Sequence, residues 1–238
     1  MKYFLTAGVL AVFILFGGYY LFNNGLLWFV YPDKEIYPIM GVDVSHHQGK
    51  IDWEELARQG VRFAFIKSTE GGDFKDSRFK ENIRNAKKAN IPVGAYHFFT
   101  FCRPGLEQAK NFIETVPKDT IDLAPVIDLE FGGNCSATPS QSELNKQLSL
   151  YVDAIVRHYN RNPIFYITTE FLEAYPLKKF QNIDLWMRNI YRPPESHNKR
   201  GCTFWQYHSR GRLKGVSEFI DLNVYCGDQV SFEKFLDQ

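Results

Sequence analysis

Asp128 and Glu130 stand two residues apart in the apolar run Ala124-Pro125-Val126-Ile127-Asp128-Leu129-Glu130. On an extended strand such residues face the same side, with Cα atoms roughly 7 Å apart. Two acids this close raise one another's pKa, and one keeps its proton near neutrality. Glycoside hydrolysis needs such a pair: one acid protonates the leaving oxygen while a second carboxylate stabilises or attacks. Asp43 and Asp221 sit in similar runs, Met40 to Val44 and Ile220 to Val224. An acid in an apolar run is costly unless it is paired or used. Structural ion pairing with lysines and arginines is the plainer account of all four.

The histidines offer a rival chemistry. His46 and His47 follow Asp43 by three and four residues, and His97 ends another apolar run. With Asp43 they could hold zinc with a position open to water, as a metal-dependent polysaccharide deacetylase requires. Otherwise they are hydrogen-bonding rim residues. Tyr96, Trp186, Trp205 and Tyr207 are either core aromatics or, at strand ends, platforms for sugar rings. The carboxylate chemistry needs no cofactor.

Eight apolar runs must position these groups: Met40–Val44, Phe63–Lys67, Val93–His97, Ala124–Glu130, Ile164–Ile167, Leu185–Met187, Thr203–Tyr207 and Ile220–Val224. Short β-rich runs with little alternation read as strands buried on both faces. Helical stretches separate the early ones. Asp52 and Glu55 form a capping box, and Gly60 supplies the stop. Residues 76–90 place Phe79, Ile83 and Ala86 on one face. Pro104 opens a helix with a Leu106, Ala109, Ile113 stripe. Thr138-Pro139-Ser140-Gln141 caps the longest helix, with proline in its first turn and a Leu144, Leu148, Val152, Ile155, Tyr159 stripe. Repeated strand–helix alternation with eight strands predicts a closed (β/α) barrel. The connection from His208 to Phe219 has no apolar stripe, so the last two strands are expected to form an antiparallel hairpin. That puts Asp221, at the start of a reversed strand, on the same barrel face as Asp43, Asp128 and Glu130.

The ends and the cysteines speak to location. Lys2 is the one charged residue before Asp33, and Tyr3 to Phe22 is nearly all apolar, long enough to span a bilayer. Residues 1–32 are therefore expected to be a signal-anchor or a cleaved signal peptide, residues 33–38 a linker, and residues 39–238 the barrel domain. Either way the barrel lies outside the cytoplasm, at the membrane or secreted. A net charge of +1 excludes the strong basic field of a dedicated nucleic-acid binder. Four cysteines in an exported chain suggest two disulfides, with free thiols as the other reading. Pairing the hairpin symmetrically about Lys214 sets Cys202 against Cys226. Cys102 and Cys135, after the third and fourth strands, fall on neighbouring loops and make the second pair. Asn134-Cys135-Ser136 is a glycosylation sequon.

The motif Gly41-Val42-Asp43-Val44-Ser45-His46-His47-Gln48-Gly49, with Ile51-Asp52-Trp53, resembles the opening of the glycoside hydrolase family 25 lysozymes, the N-acetylmuramidases. The likeness runs on through Phe65–Gly71, Gly94–Phe98, Pro125–Glu130, Leu185-Trp186, Trp205-Gln206-Tyr207 and Ile220–Asn223. It implies an irregular barrel of five βα units and three further strands. It also implies cleavage of the β-1,4 bond between N-acetylmuramic acid and N-acetylglucosamine in peptidoglycan. Residue by residue, Glu130 matches the general acid, Asp128 its partner, and Asp43 and Asp221 two further active-site acids. Glu70, Tyr96, Trp186, Trp205, Gln206 and Tyr207 fall in the matching motifs as substrate-binding candidates. The chain departs after Trp186, where it reads Met187-Arg188-Asn189 and the family usually continues with small and apolar residues, and in its N-terminal apolar segment, which is no part of the catalytic domain. A metal-dependent deacetylase of the same polymer and a non-catalytic glycan-binding barrel are the alternatives.

Overall fold

Every one of the eight apolar runs is a strand in the computed structural model, which describes residues 14–133, 135–194 and 202–237. The strands are β1 (Met40–Val44), β2 (Val61–Glu70), β3 (Phe74–Lys75), β4 (Val93–Phe98), β5 (Val126–Leu129), β6 (Ile164–Thr168), β7 (Asp184–Arg188), β8 (Phe204–Gly211) and β9 (Ile220–Tyr225). The two-residue β3 is the addition, folding back on the end of β2. The others close into an eight-stranded ring in the order β1, β2, β4, β5, β6, β7, β8, β9, with β9 back on β1. From β1 round to β8 every pairing is parallel. Strand β9 runs antiparallel to both its neighbours, so Asp221 enters the barrel at the face where the parallel strands end.

Residues 14–23 are helical (α1). The later helices are α2 (Trp53–Arg58), α3 (Phe79–Lys88), α4 (Gly105–Thr115), α5 (Gln141–Tyr159), α6 (Thr169–Ala174) and α7 (Gln229–Leu236). Strand alternation separates two cores. Phe63, Phe65, Val126, Ile164, Trp186 and Phe204 fill the barrel. Their neighbours Ala64, Ile66, Ile127 and Phe165 face the helices, which is why the strands are apolar throughout. The barrel is narrow at Gly94, where a Cβ would stand 2.6 Å from the Phe65 ring. The short helix α7 forms the floor, with Phe232 and Phe235 packed beneath Phe63, Phe204 and Tyr225.

The helix starts follow local chemistry, with corrections. Asp52 accepts the Glu55 amide at 2.9 Å, but Glu55 pairs with Arg58 rather than closing the box. The Asp52 N–H goes instead to the Gly215 carbonyl. Gly60 stops the chain at φ +92°. Ser140 caps α5 and Pro139 precedes the cap rather than sitting in the first turn. In α4 the buried face is not centred on the apolar stripe: Ala109 is buried and Ile113 packs on the core, but Leu106 is exposed and Gly105, Gln108, Asn111 and Phe112 are buried. Gly105 lies against the α5 backbone and donates to Gln147 Oε1 at 2.7 Å, so backbone approach sets the rotation of this helix.

Both expected disulfides are formed, Cys102–Cys135 and Cys202–Cys226, each with Cα atoms 5.8 Å apart. The hairpin register is one residue off the symmetric one, pairing Phe204 with Tyr225 and Gln206 with Asn223. Irregularities between Gln206 and Gly211 absorb the extra residues, and the strand-end cysteines stay within reach.

Among the described residues no helix is long and apolar enough to cross a membrane. Residues 3–13 of the apolar run lie outside the described residues, as does Asn134 of the sequon. Helix α1 ends where the Asn23 and Asn24 amides bind the Tyr19 and Tyr20 carbonyls and Gly25 turns at φ +68°. The chain then docks on β8. Trp28 is buried, donates to the Tyr207 carbonyl at 2.8 Å and stacks on His208 at 4.1 Å.

Candidate active site

The four acids converge. Asp43 and Asp221 are directly opposed across β1 and β9, and Asp128 and Glu130 rise from β5 into the same cleft of about 420 Å³. Asp43 is held hardest. Its Oδ2 accepts from Gln206 Nε2 and from Asn223 Nδ2, each at 2.8 Å. Those amides are fixed in turn, because Tyr166 donates to Gln206 Oε1 at 3.0 Å and Trp186 to Asn223 Oδ1 at 2.8 Å. Each amide is thereby oriented with its NH₂ group toward the carboxylate.

Burial dominates the electrostatics of the cluster. It lifts the Asp43 carboxyl to about 6, although the two amide bonds and Arg188 pull the other way. Burial, then the neighbouring Glu130, raises Asp128 well above the usual carboxylate range. Its Oδ1 is buried and meets no hydrogen-bond donor among the described residues, which makes a charge there expensive and a proton favourable. Glu130 is raised by burial and by Asp43, against Arg188 and Lys67. Asp221 is raised by burial and by Asp43, against Arg188. The cleft therefore keeps protonated and ionised carboxyls side by side near neutral pH.

Other expected site residues divide. Tyr96, Trp186 and Gln206 line the cleft. Glu70 stands behind it and holds Lys67 Nζ at 2.7 Å. Trp205 and Tyr207 do not reach it, since Gln206 points inward and its neighbours on β8 must point outward. Trp205 is fully buried in the outer core and donates to the Asn189 carbonyl, and Tyr207 packs near Trp28.

The histidines part company as well. His47 lines the cleft, and His46 binds Asp76 at 2.8 Å on the rim. His97 faces the helices, fully buried, with Thr69 Oγ1 at 2.7 Å from Nδ1 and Gln108 Oε1 at 3.1 Å from Nε2. Gln108 Oε1 also accepts from the Thr100 amide, so Nε2 carries the proton. Burial lowers this imidazole to about 3 and keeps it neutral. Among the described residues no group of three or more His, Cys, Asp or Glu is arranged to hold a metal.

The family model "Glycosyl hydrolases family 25" matches residues 42–216. The chain belongs to glycosyl hydrolases family 25. A solved family 25 glycosyl hydrolase from Bacillus anthracis is 41% identical, covering 88% of this chain and 97% of its own, with TM-score 0.81. A muramidase from Acremonium alcalophilum is 28% identical, covering 84% of this chain and 99% of its own, with TM-score 0.75. Lysozyme M1 of Streptomyces globisporus is 31% identical over 79% of this chain and 68% of its own length.

Reading the sequence gave no role to several cleft residues of this family 25 barrel. Tyr166 orients Gln206, and Asn223 holds Asp43. Lys67 and Arg188 bring the positive charge. Strand parity was the available signal. Tyr166 lies level with Asp128 across β5 and β6, and Arg188 lies two residues beyond inward-facing Trp186.

Proposed function

We propose that this chain is a peptidoglycan muramidase, hydrolysing the β-1,4 bond between N-acetylmuramic acid and N-acetylglucosamine. The observation that carries the reading is the convergence of Asp43, Asp128, Glu130 and Asp221 in one cleft of a family 25 barrel. The muramidase and lysozyme among its relatives agree with it. Glu130 is the general acid: it gives its proton to the glycosidic oxygen as the bond to the sugar carbon breaks, and water adds to that carbon in its place, giving up a proton to a carboxylate of the cleft. Asp128 stands buried beside Glu130 as the partner carboxyl, itself raised by burial and by that neighbour. Asp43 and Asp221 face the positive charge that develops on the sugar ring. Tyr96 offers an aromatic surface at the wall of the cleft, and Trp186, buried against Phe65, supports the wall from below.

The enzyme works outside the cytoplasm, which suits its two disulfides. The apolar run from Tyr3 to Phe22 anchors it to a membrane. The scattered histidines give no comparable support to a metal-dependent deacetylase.

Mass spectrometry of digested peptidoglycan tests the reaction. Products with reducing-end muramic acid are expected, unaffected by chelators, while loss of acetyl groups would mean deacetylation and no product a binding protein. In the same assay Glu130→Gln should fold normally and lose on the order of 10²–10⁴ in rate. Near wild-type turnover by that variant would remove Glu130 from the acid's role.

A further inference from the structure

Two cations line the acidic cleft, and they differ in how they are engaged. Lys67 is occupied: Glu70 holds its Nζ at 2.7 Å, and the ammonium lies 5.0 Å from the Phe98 ring centroid. Arg188 ends β7, level with Thr168 on β6 and Gln206 on β8, and is half-buried. Its guanidinium makes no hydrogen bond or ion pair with any described residue, yet its charge is felt by Asp43, Glu130 and Asp221 alike. A guanidinium presents a planar fork of donors suited to a carboxylate. Left without a partner beside Glu130, the acid that must keep its proton, it opposes the chemistry of its own site. A substrate anion would relieve that conflict.

The proposed substrate carries such an anion in one form. The lactyl group on O3 of muramic acid ends in a carboxylate when no stem peptide is attached, and in a neutral amide when one is. This carboxylate sits close to the sugar ring, whereas the carboxylates of a stem peptide stand residues further out. Arg188 belongs to the same ring of inward side chains as the acids, so it meets groups near the scissile bond. We propose that Arg188 selects the muramic acid unit by binding its free lactyl carboxylate, making peptide-free glycan the favoured substrate. The proposal rests on the muramidase reading and names the substrate form for that cleft.

The test compares peptide-free glycan chains with the same chains converted to the lactamide, and with peptide-bearing chains. The wild-type protein is expected to favour the carboxylate over the lactamide by roughly tenfold to a hundredfold in kcat/KM, mostly through KM. Arg188→Met should bring the carboxylate substrate down to the level of the lactamide, and Arg188→Lys should restore part of the preference. Equal rates on the two forms by wild type, or equal losses on both in Arg188→Met, would overturn the proposal. An Arg188-dependent preference for peptide-bearing chains would also overturn it, by giving the anion to the stem. Equilibrium binding of the two peptide-free forms, measured on the full chain, keeps the two ideas apart. A carboxylate preference that depends on Arg188 without turnover would count against the muramidase reading alone.

Discussion

Asp43 shows how one side chain joins catalysis to stability. Burial lifts its carboxyl to about 6 in the folded protein, while the unfolded chain titrates near 3.9. Between those values the folded state holds a proton that the unfolded state has lost, so folding weakens as pH rises. The contribution is whole below about pH 4 and is lost through pH 6, amounting to roughly 2–3 kcal/mol. Asp128 and Asp221 are raised too and tilt the curve the same way. Asn at position 43 keeps an oxygen for the Gln206 and Asn223 amides but does not titrate. Urea unfolding at pH steps from 4 to 7 should therefore show a shallower fall for Asp43→Asn than for wild type. Equal slopes would mean that the Asp43 proton is not held by the fold. At this scale the acids were legible from the sequence, because a carboxylate in an apolar strand announces itself. Trp205 and Tyr207 misled because an aromatic residue suits either face of a strand. Only the inward turn of Gln206 between them decides the matter.

At the scale of elements, runs of uniform hydrophobicity were enough to place all eight barrel strands, and the weak connection from His208 to Phe219 was enough to reverse β9. The rotation of α4 was not legible, since Gly105 and Gln147 set it by a backbone contact that carries no hydrophobic signal. Helix α7 is too short to show a period against its surroundings, although it closes the barrel floor. The two disulfides divide between architecture and site. Cys202–Cys226 ties the ends of β8 and β9 at the barrel's other end from the cleft, closing a separation of 24 residues. Cys102–Cys135 joins the loop after β4 to the loop that follows Glu130. Phe101 and Phe131 pack together with Phe171 beside it. Replacing both cysteines of either pair by serine should cost about 2–4 kcal/mol in thermal or urea unfolding. Activity should separate them: kcat stays near wild type without Cys202–Cys226 and falls without Cys102–Cys135. An equal effect on kcat would show that the second bridge does not brace the cleft.

For the whole molecule, the question is where the barrel is held. Large apolar side chains are exposed chiefly along one stretch, including Ile14, Leu15, Phe16, Tyr19, Tyr20, Leu26, Leu27, Phe29 and Tyr31. Exposed apolar side chains gathered in one stretch suit a membrane or partner contact, and tyrosine and tryptophan favour the interface between lipid and water. The stretch continues from the uncharged run that begins at Tyr3. It is also not a slack tether. Trp28 stacks on His208 of β8, burial lowers that imidazole to about 4, and the neutral ring stays stacked at neutral pH. Arg212, just past the end of β8, donates to the Asn24 carbonyl at 2.7 Å. Because β8 ends at the cleft face, a membrane anchor on this stretch would hold the cleft within a short, set reach of the lipid. The full-length protein is accordingly expected to sediment with membranes and to resist extraction by high salt, while detergent releases it. Sequencing the mature N-terminus provides the decisive measurement. A start between residues 18 and 33 would identify the run as a cleaved signal, with Trp28 kept in the barrel's own wall where the cut falls before it, whereas an intact N-terminus in the membrane fraction would establish the anchor.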